Sequence, residues 1–141
     1  MSFEVREGNN ETIIHVRETD MQNVLHEALS CINRILLHDK KNKMPIETAP
    51  VELNLRSRNS SELLSEFLNE CLYLSNASKQ LYRLKKISEL TEKSFRGEIE
   101  PYYRLEHDEH FAEPFSVVVL KDDVTTQSNQ VLAEISVQNT L

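Results

Sequence analysis

Two segments of the chain carry apolar residues at the period of an amphipathic helix. In the first, apolar residues recur every three or four positions from about Asp20 to Leu37, with polar residues between them. The second segment follows Asn59, and its apolar stripe consists of Leu64, Phe67, Leu68, Cys71 and Leu72. Such a stripe packs against a core while the opposite side of the helix meets water. The pattern therefore predicts two long helices that each bury one face.

Both predicted helices begin after a capping signal. Thr19 precedes Gln22 by three residues, and Asn59 precedes Glu62 by three residues. This spacing is typical of the capping box, in which a short polar side chain accepts a hydrogen bond from a backbone N–H of the first turn. The polar residues 75–78 indicate the end of the second helix.

Apolar and polar residues alternate in most of the remaining chain, and this alternation predicts strands. The predicted strands cover residues 3–5, 12–16, 51–55, 95–99, 115–120 and 131–137. The first two are joined by a turn at residues 8–10, and a hairpin loop with Asp122, Asp123, Ser128 and Asn129 precedes the last strand. A polar loop is predicted from Pro101 to Pro114. The Val-rich residues 115–120 are typical of a strand in the interior of a sheet.

The segment from Leu81 to Leu90 fits two structures. Leu81, Leu84, Ile87 and Leu90 recur every third residue, as in a helix, whereas Tyr82 with Leu84 fits the alternation of a strand. Both alternatives stay open.

Several strands and two long helices within 141 residues predict an α+β fold with two layers. We expect a mixed or antiparallel sheet with both helices on one face. The length suits a single domain, residues 1–141, with a core that needs no disulfide or metal.

Composition narrows the classes of function. The net charge of −7 repels phosphate backbones, so we expect no direct tight nucleic-acid binding. No apolar run approaches the roughly 20 residues that span a bilayer, so we expect no membrane insertion. The two cysteines, Cys31 and Cys71, lie on apolar helix faces and are predicted to be core residues. With no export signal, these features predict a cytoplasmic protein.

One segment has residues that bind metals in other proteins. His107 and His110 lie three residues apart beside Glu106 and Glu113. Imidazole and carboxylate groups suit zinc or a related divalent ion, but zinc usually takes three or four protein ligands. The segment fits either a solvated acidic loop or part of a metal site, and the second alternative includes a metal-dependent enzyme.

Residues 63–74 resemble the signature helix of the archeases, Leu-Leu-Tyr-Glu-Trp-Leu-Asn-Glu-Leu-Leu-Tyr-Leu. The order of elements is also similar, with an amphipathic helix and then an alternating strand before this segment. Gly97-Glu98 and His107 loosely resemble a Gly-Glu and a histidine that follow in the family. Residues 133–135 resemble its final apolar-Asp-apolar motif.

The resemblance implies an archease-like α+β domain and a role without catalysis of its own. Archeases are protein cofactors of the RNA-splicing ligase that joins tRNA exon halves, and they promote its guanylylation by GTP and its multiple turnover. The resemblance therefore implies no catalytic residues and an RNA-splicing ligase as the protein partner. The alternative is an archease-fold domain that binds another protein and has a degenerate metal site.

The resemblance also implies a small acidic metal site. Its positions fall on Glu11, Asn76 and Glu134, with help from His107. Three Asp-type positions of the family are thus Glu, Asn and Glu in this chain. Oxygen ligands of this kind suit Ca²⁺ or Mg²⁺, but the lower negative charge predicts weaker binding than in the family.

Overall fold

The computed structural model describes residues 2–8, 11–37, 49–104, 118–127 and 130–138. Within these ranges the chain forms helices α1 (Met21–Leu37) and α2 (Ser60–Ser78). The strands are β1 (Ser2–Gly8), β2 (Glu11–Glu18), β3 (Val51–Arg56), β4 (Gln80–Leu90), β5 (Ser94–Arg104), β6 (Val118–Gln127) and β7 (Gln130–Gln138).

The strands form two antiparallel sheets. The four-stranded sheet has the order β1-β2-β7-β6, and the three-stranded sheet has the order β3-β5-β4. Helix α1 contacts β2, β4 and β7, and helix α2 contacts β3, β4 and β6, so each helix packs against both sheets. The predicted α+β class is confirmed, although the strands divide between two sheets.

The core contains the residues that the helical and the alternating patterns of apolar residues predicted. Leu64, Phe67, Leu68, Cys71 and Leu72 are all buried, as the predicted stripe of α2 requires. Strands of both sheets supply the facing side chains, among them Ile14, Ile135, Phe95 and Ile99. The rings of Phe67 and Phe95 have centroids 5.2 Å apart, a tilted aromatic pair that joins α2 to the three-stranded sheet.

The ambiguous segment 81–90 is a strand, β4, and two β-bulges explain its three-residue period. Leu84, Ile87 and Leu90 face Ile99, Gly97 and Phe95 of β5, so steps of three residues on β4 match steps of two on β5. The register shifts once between Leu84 and Lys86 and once between Ile87 and Glu89. Each bulge adds one residue to β4 and so makes an alternating strand look helical in sequence.

The predicted boundaries of two loops are wrong. Strand β5 runs through Pro101 to Arg104, so the predicted start of the loop at Pro101 is wrong, and residues 105–114 lie outside the described residues. The pairing of β3 with β5 ends at Ile99, and Pro101 lies beyond that point. The N–H group that proline lacks is therefore not needed for any described pairing with β3. Likewise β6 includes Asp122 and Asp123, which were predicted to lie in the hairpin loop.

Within the described sheet, the predicted interior strand lies at an edge. Among the described strands, β6 pairs only with β7, whereas β2 and β7 have a neighbour on each side. The stretch 115–117 lies outside the described residues. The Val-rich composition of this strand is therefore not evidence that the strand has a neighbour on each side.

The sequence predicted the N-cap of α2 correctly and the N-cap of α1 incorrectly. Asn59 is the N-cap of α2, and its Oδ1 accepts a hydrogen bond from the Glu62 N–H at 2.8 Å. At α1, the first-turn N–H of Asn23 donates instead to the Asp20 Oδ1 at 2.8 Å, so the predicted cap Thr19 is wrong by one residue. The Thr19 hydroxyl accepts from the Asn23 side chain at 3.4 Å.

Substitution of the two candidate caps of α1 should separate their roles. We expect Asp20→Ala to lower the free energy of unfolding by about 1 kcal/mol, because an orphan N–H of the first turn loses its acceptor. Thr19→Ala should cost less than about 0.5 kcal/mol, as for most surface substitutions. Urea unfolding followed by circular dichroism measures both changes. An equal or larger loss for Thr19→Ala would show that the threonine is the cap in solution.

Candidate functional site

Helix α2, which contains the archease-like segment, is fixed at both ends by polar contacts. Before its first turn, the Ser57 hydroxyl donates to the Glu66 Oε2 at 2.8 Å, and the Arg58 Nε pairs with the Glu62 Oε2 at 2.9 Å. At its end, Lys79 adopts the left-handed conformation with φ 56° and ψ 42°, which directs the chain into β4. These contacts hold α2 between β3 and β4.

One large apolar side chain of α2 points away from the core. Tyr73 is 67% exposed, and it is the exposed large hydrophobic residue among the side chains that the structure describes. Its neighbours in sequence, Leu72 and Leu74, are buried in the core or packed against it. An exposed tyrosine offers a rigid amphipathic surface of the kind enriched in protein–protein interfaces.

The helix also takes part in a polar seam with β4. The Ser75 hydroxyl donates to the Cys71 carbonyl at 2.9 Å, and the Ser78 hydroxyl donates to the Leu74 carbonyl at 2.8 Å. The hydroxyls of Ser78 and Tyr82 lie 2.9 Å apart. The hydroxyls of the buried Ser75 and the exposed Ser78 are thus satisfied by carbonyls of their own helix, which accounts for serines inside the last turns, where the sequence suggested that the helix stops.

A second polar cluster links α1 to β4 and β5. The Asn33 side chain donates to the Tyr82 carbonyl at 2.8 Å. Arg83 lies over the ring of Tyr102 at 5.9 Å and pairs with the Glu100 Oε1 at 2.8 Å. Burial raises the pKa of Tyr102, although a hydrogen bond from Asn33 and the charges of Arg83 and Arg34 oppose this rise. The phenol is therefore neutral near pH 7, and the cluster acts as a structural link.

The two cysteines are core residues, as predicted. Cys31 is 2% exposed and Cys71 is 1% exposed. Burial raises the pKa of Cys31 to about 11 and also raises that of Cys71. Because the thiolate is the nucleophile and the metal ligand, neither thiol is suited to either role near pH 7.

The structure places three of the four predicted metal ligands. Glu11 lies at the start of β2, Glu134 lies in the middle of β7, and Asn76 lies half-buried near the end of α2. His107, with the other residues of its acidic segment, lies outside the described residues.

Strand register separates Glu11 from Glu134. Glu11 pairs with Gln138, and Glu134 pairs with His15, so the two positions lie four residues apart along the same strand pair. This spacing corresponds to about 13 Å along the strands. One ion bound at both positions would have to bridge this separation.

Glu134 and Asn76 belong to different elements of the fold. Ala133 and Ile135 are buried in the core, so alternation places Glu134 on the outer face of the four-stranded sheet. Asn76 belongs to α2, whose apolar stripe is part of the core. The metal site stays a prediction from the resemblance. No group of three potential metal-ligating side chains occurs among the described residues.

Sequence reasoning missed a buried carboxylate at the end of β2. Glu18 is 7% exposed, and its Oε1 has no hydrogen-bond partner in the part of the chain that the structure describes. The alternation of β2 indicates this burial, because Glu18 lies on the same face of the strand as the buried Ile14 and Val16. A single such oxygen, without further ligands, does not form a metal site.

Comparison with solved structures identifies the fold. The solution structure of protein 1598 from Methanobacterium thermoautotrophicum matches 96% of this chain and 97% of its own, with a TM-score of 0.63 and 15% identity. The crystal structure of an archease, a possible chaperone, from Thermotoga maritima matches 91% of this chain and 89% of its own, with a TM-score of 0.55 and 12% identity.

These similarities show an archease-like fold across most of the chain. In sequence, the chain matches no protein-family model, and no curated protein is close enough to count as a relative. Of the helices that the structure describes, neither has the length and apolar character that a membrane span requires.

Proposed function

We propose that this archease-like chain is a protein cofactor of an RNA-splicing ligase, which it activates by promoting guanylylation and repeated turnover. The observation that carries the proposal is the match to the Thermotoga maritima archease over 91% of this chain. The archease-like segment 63–74 supports it, since this segment forms helix α2 at the centre of the fold. The bond-making chemistry lies in the partner, and the chain is not an enzyme in its own right.

The charge and surface of the chain support a protein partner. The net charge of −7 opposes direct binding to RNA, whereas it favours a basic protein surface. Tyr73 supplies an exposed aromatic side chain on the archease-like helix. We place the contact with the ligase on this side of α2, where a tyrosine can enter a pocket of the partner at little cost in conformational entropy.

The proposed activation involves no step through a metal ion of this chain. Glu11 and Glu134 offer carboxylates and Asn76 offers an amide oxygen, which are ligands that Ca²⁺ or Mg²⁺ accepts. What the chain supplies, in this proposal, is a rigid surface that favours the competent state of the ligase.

A reconstituted ligation assay tests the proposal. The ligase from the same organism is mixed with GTP, divalent metal and RNA, with and without this chain, and both guanylylation and product per ligase molecule are measured. We expect the chain to raise both quantities. Tyr73→Ala should reduce the stimulation about tenfold, because truncation of an interface aromatic typically costs more than 1 kcal/mol.

Arg58→Ala is the control at the other end of α2, since it also shortens a long exposed side chain and breaks only a solvent-exposed ion pair, which contributes little to stability. Its stimulation should equal that of the unaltered chain, and both variants should keep their melting temperature. Unchanged guanylylation and turnover on addition of the unaltered chain would reject the ligase role. Normal stimulation by Tyr73→Ala would move the contact away from this helix.

A second candidate is an archease-fold domain that binds a different protein. The altered residues at the three Asp-type positions of the family, which are Glu11, Asn76 and Glu134 in this chain, favour it. Affinity capture from cells of the source organism distinguishes the two candidates. Recovery of the ligase as the main partner counts against the second candidate, and recovery of another protein without the ligase counts for it.

A further inference from the structure

A polar cleft lies on the outer face of the three-stranded sheet, away from the archease-like helix face described above. Its volume is about 390 Å³, which lies at the lower end of the range for small-molecule sites. Arg56, Arg96 and Lys93 line it together with Glu89 and Asn54. The cleft thus combines three cations with one carboxylate and one amide.

Strand register builds this cleft from three elements. Asn54 of β3 and Glu89 of β4 both pair with Arg96 of β5, so these three residues form one row across the sheet. Arg56 begins the next row, opposite Ser94. The bulge just before Glu89 adds one residue to β4, which brings this carboxylate into the row.

The turn between β4 and β5 is held in place by backbone contacts. The Thr91 hydroxyl accepts from the N–H groups of Lys93 and Ser94 at 3.1 and 2.9 Å. The Ser57 N–H donates to the Lys93 carbonyl at 2.7 Å, so this turn is tied to the end of β3. The backbone of Lys93 is therefore fixed beside the two arginines, and the cleft does not depend on a loose loop.

The three cations have no partner that neutralises them within the described chain. Arg58 and Arg83 form ion pairs with Glu62 and Glu100, but no such pair forms at Arg56, Lys93 or Arg96 among the described residues. The hydroxyls of Ser57 and Ser94 already bond to Glu66 and Thr91. In a chain of net charge −7, three cations against one carboxylate form a local positive site.

We propose that this cleft binds the phosphate group of a small molecule up to the size of a mononucleotide. Guanidinium groups match the geometry of phosphate and can each donate two hydrogen bonds to it, and the ammonium of Lys93 adds a point charge. A phosphate monoester carries up to two negative charges, which balances three cations and one carboxylate. A long nucleic acid is disfavoured because the rest of the chain repels its backbone. The proposal is independent of the ligase role.

Titration of the purified chain with inorganic phosphate and with a nucleoside 5′-monophosphate tests the site. Isothermal titration calorimetry gives the affinity, and the Nε–Hε NMR signals of Arg56 and Arg96 report the location. We expect saturable binding with shifts of both signals. Equal affinity for the two probes assigns recognition to the phosphate alone, and tighter binding of the nucleotide adds a contact to its nucleoside.

Charge variants of the cleft should change affinity in opposite directions. Arg56→Gln and Arg96→Gln should each weaken binding about tenfold through loss of charge-assisted hydrogen bonds. Glu89→Gln should tighten binding about threefold, because it removes the one like charge that faces the ligand. Arg83→Gln is the matched control with the same change in charge on the same sheet, and it should alter affinity less than about twofold.

Three outcomes would overturn the proposal. The first is the absence of saturable binding up to about 10 mM of either probe. The second is an equal loss of affinity in Arg83→Gln and Arg96→Gln. The third is tighter binding of an acidic peptide than of both phosphates. The variants change exposed side chains, and their melting temperatures verify folding. Weakened binding by Arg56→Gln together with tightened binding by Glu89→Gln supports the site even where Arg96→Gln does not fold.

Discussion

Replacing Phe67 by alanine is expected to lower the free energy of unfolding by about 3–5 kcal/mol, because the change leaves a large cavity in the core. Phe67 is fully buried on α2, and its ring lies 5.2 Å from the ring of Phe95 in β5. Loss of the ring removes apolar burial and also this aromatic contact between helix and sheet. Urea unfolding at equilibrium, read by both far-UV and near-UV circular dichroism, measures the change.

Phe67→Leu serves as the matched control for the same position. It keeps an apolar side chain that refills part of the space, so its cost should be about half that of alanine. A double-mutant cycle with Phe95→Leu should give a coupling of about 0.5–1.5 kcal/mol between the two rings. A loss below about 1 kcal/mol for Phe67→Ala would show that α2 does not pack on the three-stranded sheet in solution.

The parts of the fold that sequence predicted are those with an undisturbed local period. The stripe from Leu64 to Leu72 follows 3.6 residues per turn, and each of its members is buried. Strand β3 alternates without a bulge, and Leu53 is buried between exposed Glu52 and Asn54. In both cases a residue's own neighbours in sequence decide its environment.

The sequence leaves the structure of a segment open where the conformation of one strand depends on its pairing with another strand. Leu84, Ile87 and Leu90 keep a common face only because β4 has an extra residue at each of two bulges opposite β5. The order of apolar residues within β4 does not reveal how this strand pairs with β5. Division of the strands into two sheets and the edge position of β6 have the same cause, since both depend on pairing between distant segments.

The candidate sites depend even more on long-range register. Arg56 and Arg96 belong to the same cleft although 40 residues separate them in sequence, and their proximity follows from the pairing of β3 with β5. Glu11 and Glu134 are even further apart in sequence, and the pairing of β2 with β7 brings them onto neighbouring strands, four residues apart along the strand direction. Residue identity indicates the chemistry, and register decides which groups meet.

Gly97 is the residue at which this register is most sensitive to substitution. It lies on the buried face of β5 opposite Ile87, between the two bulges of β4. A Cβ at this position would lie 2.9 Å from the Phe95 ring and 3.2 Å from the Ile87 Cα, and it would clash with the Lys86 carbonyl oxygen. Two of these three neighbours are backbone atoms, which a rotamer change cannot move aside.

We therefore expect Gly97→Ala to lower the free energy of unfolding by about 3 kcal/mol, at the upper end of the range for overpacked cores. The added methyl group forces β4 away from β5 and weakens the pairing on both sides of Gly97. Ser88→Ala is the control, because Ser88 is exposed in the neighbouring bulge and should cost less than about 0.5 kcal/mol.

Urea unfolding of both variants measures these costs, and hydrogen exchange of the β4 and β5 amides locates the disturbance. Faster exchange confined to these two strands is the expected result, since the clash acts on their pairing and not on the helices. A free-energy loss below about 1 kcal/mol for Gly97→Ala would mean that β4 shifts at little cost. The close approach at Gly97 would then not be what holds the two bulges in register.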